Sequence, residues 1–192
     1  QRRGRIVRPA VRHLIEGRRR RIGLAVMSLS RWSSAERCRG YREELAAHGM
    51  PADESLIFHA EGLSGSEIFA RHNLATRQWD FPVETMDRVV DALVVEAEAD
   101  AIAACDDFWA AALLRRLRAR GIRVPDDVAV VGYLNHYLAD WTDPPLTSVD
   151  LCHSEAAGRM VAMLESMIVE GPLPESKRGV AIKPKLIVRE SS

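Results

Sequence analysis

Short apolar runs alternate with stretches of helical spacing along this chain. Residues 7–16 read as the end of a helix stopped by Gly17, and residues 22–28 (IGLAVMS) as a buried strand that runs into a polar turn. Ser33 and Ser34 stand where a cap belongs, ahead of a helix from Ala35 to His48 that Gly49 stops. Leu56 to Phe58 make a second strand, a glycine-serine loop spans Gly62 to Ser66, and a helical pattern breaks near Trp79 to Pro82. Apolar spacing then predicts a helix over Val83 to Glu98, a strand over Ala101 to Cys105, a helix over Phe108 to Arg120 and a strand over Val128 to Val131. A short strand, Thr147 to Val149, lies beyond the Pro144-Pro145 turn. Ser154 to Glu170 is an amphipathic helix with Met160, Val161, Met163, Leu164, Met167 and Ile168 on one stripe, and the connector Gly171 to Pro174 leads to a last strand near Val180 to Val188. No internal repeat is visible. Strands alternating with helices predict an α/β chain with a parallel sheet covered on both faces.

Asp100 to Asp150 is the most informative stretch. One apolar run ends in Asp106-Asp107, a helix follows, and a second apolar run ends in Gly132 and a polar loop. Both strand ends therefore deliver polar groups to one edge of the sheet, where open α/β sheets bind ligands. The turn after the first strand, Ser28 to Ser33, contains no glycine, which disfavours a dinucleotide site. The run Gly62 to Ser66 lacks the last glycine of a nucleophile elbow and reads as a loop. Asp106 and Asp107 form either a metal or acid/base pair, or one ligand hydrogen-bond acceptor and one helix cap; the second division is the commoner use of adjacent acids at a strand end. His59, His72, His136 and His153 show no spacing that makes a triad. No catalytic constellation, metal site or cofactor emerges, and the chain does not read as an enzyme. An enzyme built on Asp106 and Asp107 is the reading weighed against that.

Binding features are stronger. Arg31, Trp32, Ser33 and Arg37 follow the first strand, where arginine forks recognise hydroxyl pairs or carboxylates and a tryptophan offers an apolar face to a sugar ring. Trp109 and Trp141 come from two other strand-end segments. Each tryptophan reads equally as core or rim packing; their origin in separate loops is what favours a shared crevice.

At 192 residues and 47% hydrophobic content, the chain suits one domain or slightly more. Its net charge is zero but unevenly spread: nine of its 27 lysines and arginines lie within residues 1–21, against the single acid Glu16. A basic arm suits nucleic acid, or is simply a solvated helix face, and no aromatic residue interleaves with the arginines to favour the first. Three widely spaced cysteines, Cys38, Cys105 and Cys152, fit a reducing compartment, and no apolar run is long enough to span a membrane. A cytoplasmic location is expected. No signal peptide is visible, although the chain opens with Gln rather than Met.

These residues resemble the effector-binding core of the LacI/GalR family of bacterial transcription regulators, whose fold periplasmic sugar-binding proteins share. Val11 to Arg18 (VRHLIEGR) resembles the helix end that leads into that family's C-terminal subdomain. Arg37 to Tyr41 (RCRGY) matches its Arg-x-x-Gly-Tyr helix, and Asp106-Asp107 with Ala110 its Asn-Asp segment. Pro125 to Tyr133 (PDDVAVVGY), Pro145 to Val149 (PLTSV) and Pro184 to Ser192 (PKLIVRESS) complete the match.

The resemblance implies a Rossmann-like subdomain of the periplasmic-binding-protein-like fold, with the N-terminal subdomain largely missing. Residues 1–17 would be the end of a crossover helix, 18–150 the C-terminal effector-binding subdomain, 151–179 a helix and connector belonging to the N-terminal subdomain, and 180–192 a strand returning to the C-terminal one. Arg37 would hold effector oxygens, Asp106 stand where a family asparagine touches ligand, and Arg31 and Ser33 make further contacts; Trp32, Trp109 and Asn135 complete the expected set. Leu134 replaces a family aspartate and Leu151 a ligand-facing glutamine, which points to a less hydroxylated or partly apolar effector. The longer segment Arg71 to Phe81 reads as a lid or an extra wall. The implied function is effector binding and dimerisation in a transcription repressor. Its partners would be a sugar or related polar metabolite, a second copy of the chain, and operator DNA bound through a helix-turn-helix absent from this chain. A solute-binding protein of a sugar transport system is the alternative. The apolar stripe of the Ser154 to Glu170 helix would be exposed or covered by another chain.

Overall fold

The computed structural model describes residues 6–27, 32–60, 83–174, 179 and 181–192, and the backbone of 72–73 and 78–79. Helix α1 (Arg8–Glu16) leads into strand β1 (Ile22–Val26) and helix α2 (Trp32–Ala47). Strand β2 (Ile57–His59) follows, then a two-residue antiparallel pair, β3 (His72–Asn73) and β4 (Gln78–Trp79). Helix α3 (Val83–Val90) continues into a π-helical segment, Asp91–Glu96. Strand β5 (Ala101–Ala103), helix α4 (Asp107–Ala119), strand β6 (Ala129–Tyr133), a 3-10 turn (Tyr137–Asp140) and strand β7 (Thr147–Asp150) come next. Helix α5 (His153–Glu170) and strand β8 (Lys185–Ile187) complete the order.

Six strands form one sheet in the order β2-β1-β5-β6-β7-β8. The first five are parallel, as the alternation of strands and helices predicts. The sixth, at the edge, runs the other way: β8 is antiparallel to β7, pairing Ile187 with Ser148 and Lys185 with Asp150. All five residues of β1 and all five of β6 are buried, because helices cover both faces.

The two-residue period of the strands divides the core. Ile22, Leu24 and Val26 face α1 and α2 and pack with Val11, Leu14, Tyr41 and Leu45, together with Ala101, Ala103, Val131 and Tyr133. Ala25, Ile102 and Val130 face α3 and α4, among Met86, Val89, Leu93, Leu113 and Leu117. The buried Tyr41 hydroxyl donates to Ile22 O at 2.7 Å, which satisfies the one polar atom this ring brings into the core.

Several element ends differ from the sequence reading. Helix α2 starts at Trp32, so Ser33 and Ser34 lie inside its first turn instead of capping it, and Ser34 is buried. Strand β6 runs two residues further than expected because Gly132 and Tyr133 both pair with β7. The last strand is only three residues long. Helix α5 has no buried residue, and Met160, Val161, Leu164, Met167 and Ile168 are exposed, Ile168 at 83%. Gly62 to Ser66 and most of Arg71 to Phe81 lie outside the described residues.

The basic arm is largely stitched into the fold. Glu44 of α2 is fully buried and accepts from Arg8 Nε at 2.5 Å and Arg12 Nε at 2.8 Å, clamping α1 onto α2. Arg19 donates to Pro125 O at 2.5 Å, Arg21 Nε to Ala97 O at 2.9 Å, and the backbone amides of Arg20 and Arg21 to the Asp100 carboxylate. Arg2, Arg3 and Arg5 lie outside the described residues. Burial pushes the Glu44 carboxyl up, but the hydrogen bonds from Arg8 and Arg12 outweigh it and hold the acid below its ordinary range. Its stabilisation is therefore present above the ordinary glutamate pKa and lost as pH falls through the lower folded value. Glu44→Gln is expected to lower stability by about 2 kcal/mol at neutral pH. The half-exposed arginines regain water, which keeps the loss below that of a fully buried pair. Thermal unfolding at pH 7 and pH 3.5 checks this, and the difference between the two proteins should shrink at the lower pH.

Candidate functional site

The chain leaves β1 through α2 toward β2 on one side, and returns through α3 to β5 on the other. The carboxyl ends of β1 and β5 are therefore the switch point of this sheet, where helices depart to opposite faces and open a crevice. Arg37 from α2 and Asp106 from the amino end of α4 meet there.

Asp106 adopts extended backbone, φ −160°, and its Oδ1 accepts the Trp109 amide at 2.8 Å, so it is the N-cap of α4. Burial raises its carboxyl, while the Trp109 amide and the Arg37 cation pull it down. Arg37 is half-buried, with its guanidinium carbon 5.4 Å from the centre of the Tyr133 ring at the end of β6. No carboxylate of a described residue lies within 4.0 Å of it. Two buried nitrogens at this edge, Arg37 Nε and His59 Nδ1 at the end of β2, have no hydrogen-bond partner among the described residues. Buried polar atoms are rarely left so, and an unpartnered arginine nitrogen at a switch point marks a binding surface more readily than a core.

The adjacent acid has a different task. Asp107 is 0% exposed; its Oδ1 accepts the Ser148 hydroxyl at 2.6 Å and its Oδ2 accepts the His136 amide at 2.6 Å. Only the cap of that second alternative is seen, in Asp106; Asp107, instead of a ligand, takes donors from the protein's own β7 and β6 exit loop. The partners of Asp107 escaped the sequence reading because they lie about thirty and forty residues away. The signals were the glycine of Gly132-Tyr133 and the serine of Thr147-Ser148-Val149.

The other expected site residues divide. Trp32 and Ser33 open α2 and are exposed on the same edge as Arg37. Arg31 lies outside the described residues. Trp109 is corrected: at 2% exposure its ring belongs to the core beneath α4, so it does not join Trp32 and Trp141 in one crevice. Trp141 is 83% exposed, just past the 3-10 turn. Asn135, partly buried, has internal partners. Its Oδ1 accepts from Arg189 at 2.9 Å and its Nδ2 donates to Asp150 at 3.3 Å, so its amide braces β7 and the segment after β8. Beside it, Phe108, His136 and Tyr137 form an aromatic row with ring centres 4.8 and 4.2 Å apart. Among the described residues no group of three or more metal-ligating side chains is gathered, and no helix is long and apolar enough to cross a membrane.

A mixed α/β domain with a half-buried arginine and a capping aspartate at its switch point is a ligand-binding fold, and the comparisons agree. The chain belongs to the periplasmic binding protein-like domain family, which matches residues 11–192. The HTH-type transcriptional regulator CelR of Thermobifida fusca is 36% identical over 184 residues, covering 96% of this chain and 48% of that protein. AscG of Escherichia coli strain K12 is 29% identical, with 95% and 48% covered. Among solved structures, a CelR–cellobiose complex is similar with a TM-score of 0.74 at 32% identity, over 97% of this chain and 51% of that one. The E. coli repressor AscG gives 0.79 at 25% identity, over 98% and 61%. These relatives are LacI-type regulators rather than enzymes, and the chain spans about half the length of the curated relatives it matches.

Proposed function

We propose that these residues are the C-terminal effector-binding portion of a LacI-type transcription repressor, and that the effector is a sugar or a related polar metabolite. The observation that carries this is Arg37: half-buried at the switch point, over the Tyr133 ring, near the Asp106 carboxyl, with Nε unpartnered among the described residues. A guanidinium so placed offers a rigid fork to sugar hydroxyls, and Trp32 supplies an exposed aromatic face on the same edge. The binding of cellobiose by the relative CelR supports a saccharide. Leu134 and Leu151, where the family resemblance expects polar contacts, favour an effector with fewer hydroxyls on that side.

In this reading residues 18–150 with 180–192 form one effector-binding subdomain, and the 151–179 segment belongs to an N-terminal subdomain outside these residues. The exposed apolar face of α5 supports that division, since such a face is normally covered. Effector closing the cleft shifts the balance between two arrangements of a cytoplasmic homodimer and so its affinity for operator DNA, which a helix-turn-helix outside these residues would bind. The test is calorimetric titration of the longer polypeptide with mono- and disaccharides, cellobiose included, followed by operator binding with and without the saccharide that binds. Saturable binding that alters DNA affinity supports the proposal. Saccharide binding with no DNA affinity at all would favour a transport solute-binding protein, and no saccharide binding would sink the effector class.

A further inference from the structure

Asp107 does not face the cleft, yet it organises one of the cleft's walls. Its side chain leaves the first residue of α4 and crosses β6 at Gly132, where a Cβ atom would overlap Asp107 Oδ1 and lie 2.9 Å from Leu146 Cδ2. Beyond β6 the carboxylate takes the Ser148 hydroxyl with one oxygen and the His136 amide with the other. The Ser148 oxygen in turn accepts the Asn135 amide at 3.0 Å, and the Leu134 amide reaches Val149 O at 2.9 Å.

The segment so held is strained. Leu134 has a φ of 99°, in the left-handed region that costs a leucine about 1 kcal/mol or more, and Asn135 follows at 46°, which an asparagine tolerates better. Such a bend persists only where its surroundings fix it. Asp107 and Ser148 fix it from inside, and Arg189 from outside through Asn135 Oδ1 and, at 2.6 Å, Asp140 Oδ1.

The geometry points to Asp107 as a positioning residue: a buried carboxylate latch that fastens the β6 exit loop, Leu134 to Tyr137, onto β7 and thereby sets the wall that carries His136 and Tyr137 beside the cleft. That the wall serves an effector rests on the function proposed above; the latch itself does not. As a carboxylate it accepts both bonds at once. Once protonated, one oxygen carries a hydrogen, and Ser148 O–H and His136 N–H no longer both find a full acceptor. The titratable and charged groups around it are Asp106 on its own helix, the His136 ring on the loop, Asp150 at the end of β7 and Arg189 after β8. Burial lifts Asp107 to about 6, Asp106 adds to this, and Arg189 and the two hydrogen bonds oppose it.

The test uses the 192-residue chain and NMR, so it needs no ligand. Asp107→Asn keeps the shape but turns an N–H toward Ser148 or His136. Amide exchange at Asn135 and His136 should rise about tenfold or more, while Ala104 and Val131 stay protected. The wild-type Asp107 side-chain carboxyl carbon should titrate with a midpoint near 6. Should Asp107→Asn not fold, Ser148→Ala reports instead, by faster exchange at Asn135. Unchanged exchange at both amides in the folded variants overturns the latch. With cellobiose as the probe, weaker binding by a variant folded at the assay temperature extends the latch to the cleft. Failure of wild-type chain to bind cellobiose counts against that choice of probe and effector, and leaves the exchange result to decide the latch.

Discussion

Replacing Arg37 by alanine is expected to weaken saccharide binding by about 10- to 100-fold, the range for losing hydrogen bonds from a charged group. Arg37 contributes more than its own contacts. It is the cation that holds down the buried Asp106 carboxyl, which burial otherwise raises. Without it, Asp106 moves further up, so the residual affinity of the variant should vary with pH across a range where the wild type is flat. Arg37→Lys separates the two contributions: it restores the charge beside Asp106 but not the planar fork, so the pH dependence should recover more than the affinity. Calorimetry with the saccharide that binds best, at several pH values, reads both. Equal affinities for wild type and Arg37→Ala would remove Arg37 from the site.

The largest loss of stability is expected from the smallest substitution. Gly132→Ala places a methyl group onto the Asp107 carboxylate, which Ser148 and His136 hold in place, and 2.9 Å from the buried Leu146 Cδ2. Overpacking of this kind costs about 3 kcal/mol or more, which for a domain of this size lowers the melting temperature by roughly 6–12 °C. The carboxylate collision is only part of it, so the same substitution in an Asp107→Ala background should cost clearly less. Thermal unfolding of the two single variants and the double variant gives the coupling. Strict additivity would mean that Gly132 is not there to let Asp107 through.

These two expectations also mark where sequence reading succeeds and stops. Periodicity located the strands and most helices, because five parallel strands buried on both faces leave unbroken apolar runs such as Ile22 to Val26. The pairing of Arg37 with the Asp106 edge was legible too, since each follows a strand end. The start of α2 was not: a serine pair is a local signal, and the helix begins earlier, at Trp32, with Ser34 buried. The surroundings of Trp109 and Asn135 were hidden for a related reason. A tryptophan three residues past a cap falls on the core side of α4, and an asparagine after a glycine-tyrosine pair finds Arg189, 54 residues away. Asp107, Gly132 and Ser148 are three ordinary residues until the sheet brings them together. Their meaning is a contact across strands, and no periodicity encodes that.

One consequence of the mixed sheet concerns time rather than space. Ser191 accepts the Val130 amide with its carbonyl, donates its hydroxyl to Val130 O, and accepts the Thr147 amide; the Ser192 hydroxyl reaches Thr147 and His13. On a ribosome these fastenings emerge only after the whole of α5 and the connector beyond it. Until then the outer side of β7 has no neighbour, and the starts of β6 and β7 lack their ties. Order in this domain therefore arrives late, and a nascent chain halted between residues 150 and 185 should be far more open to protease than one halted past Ser192.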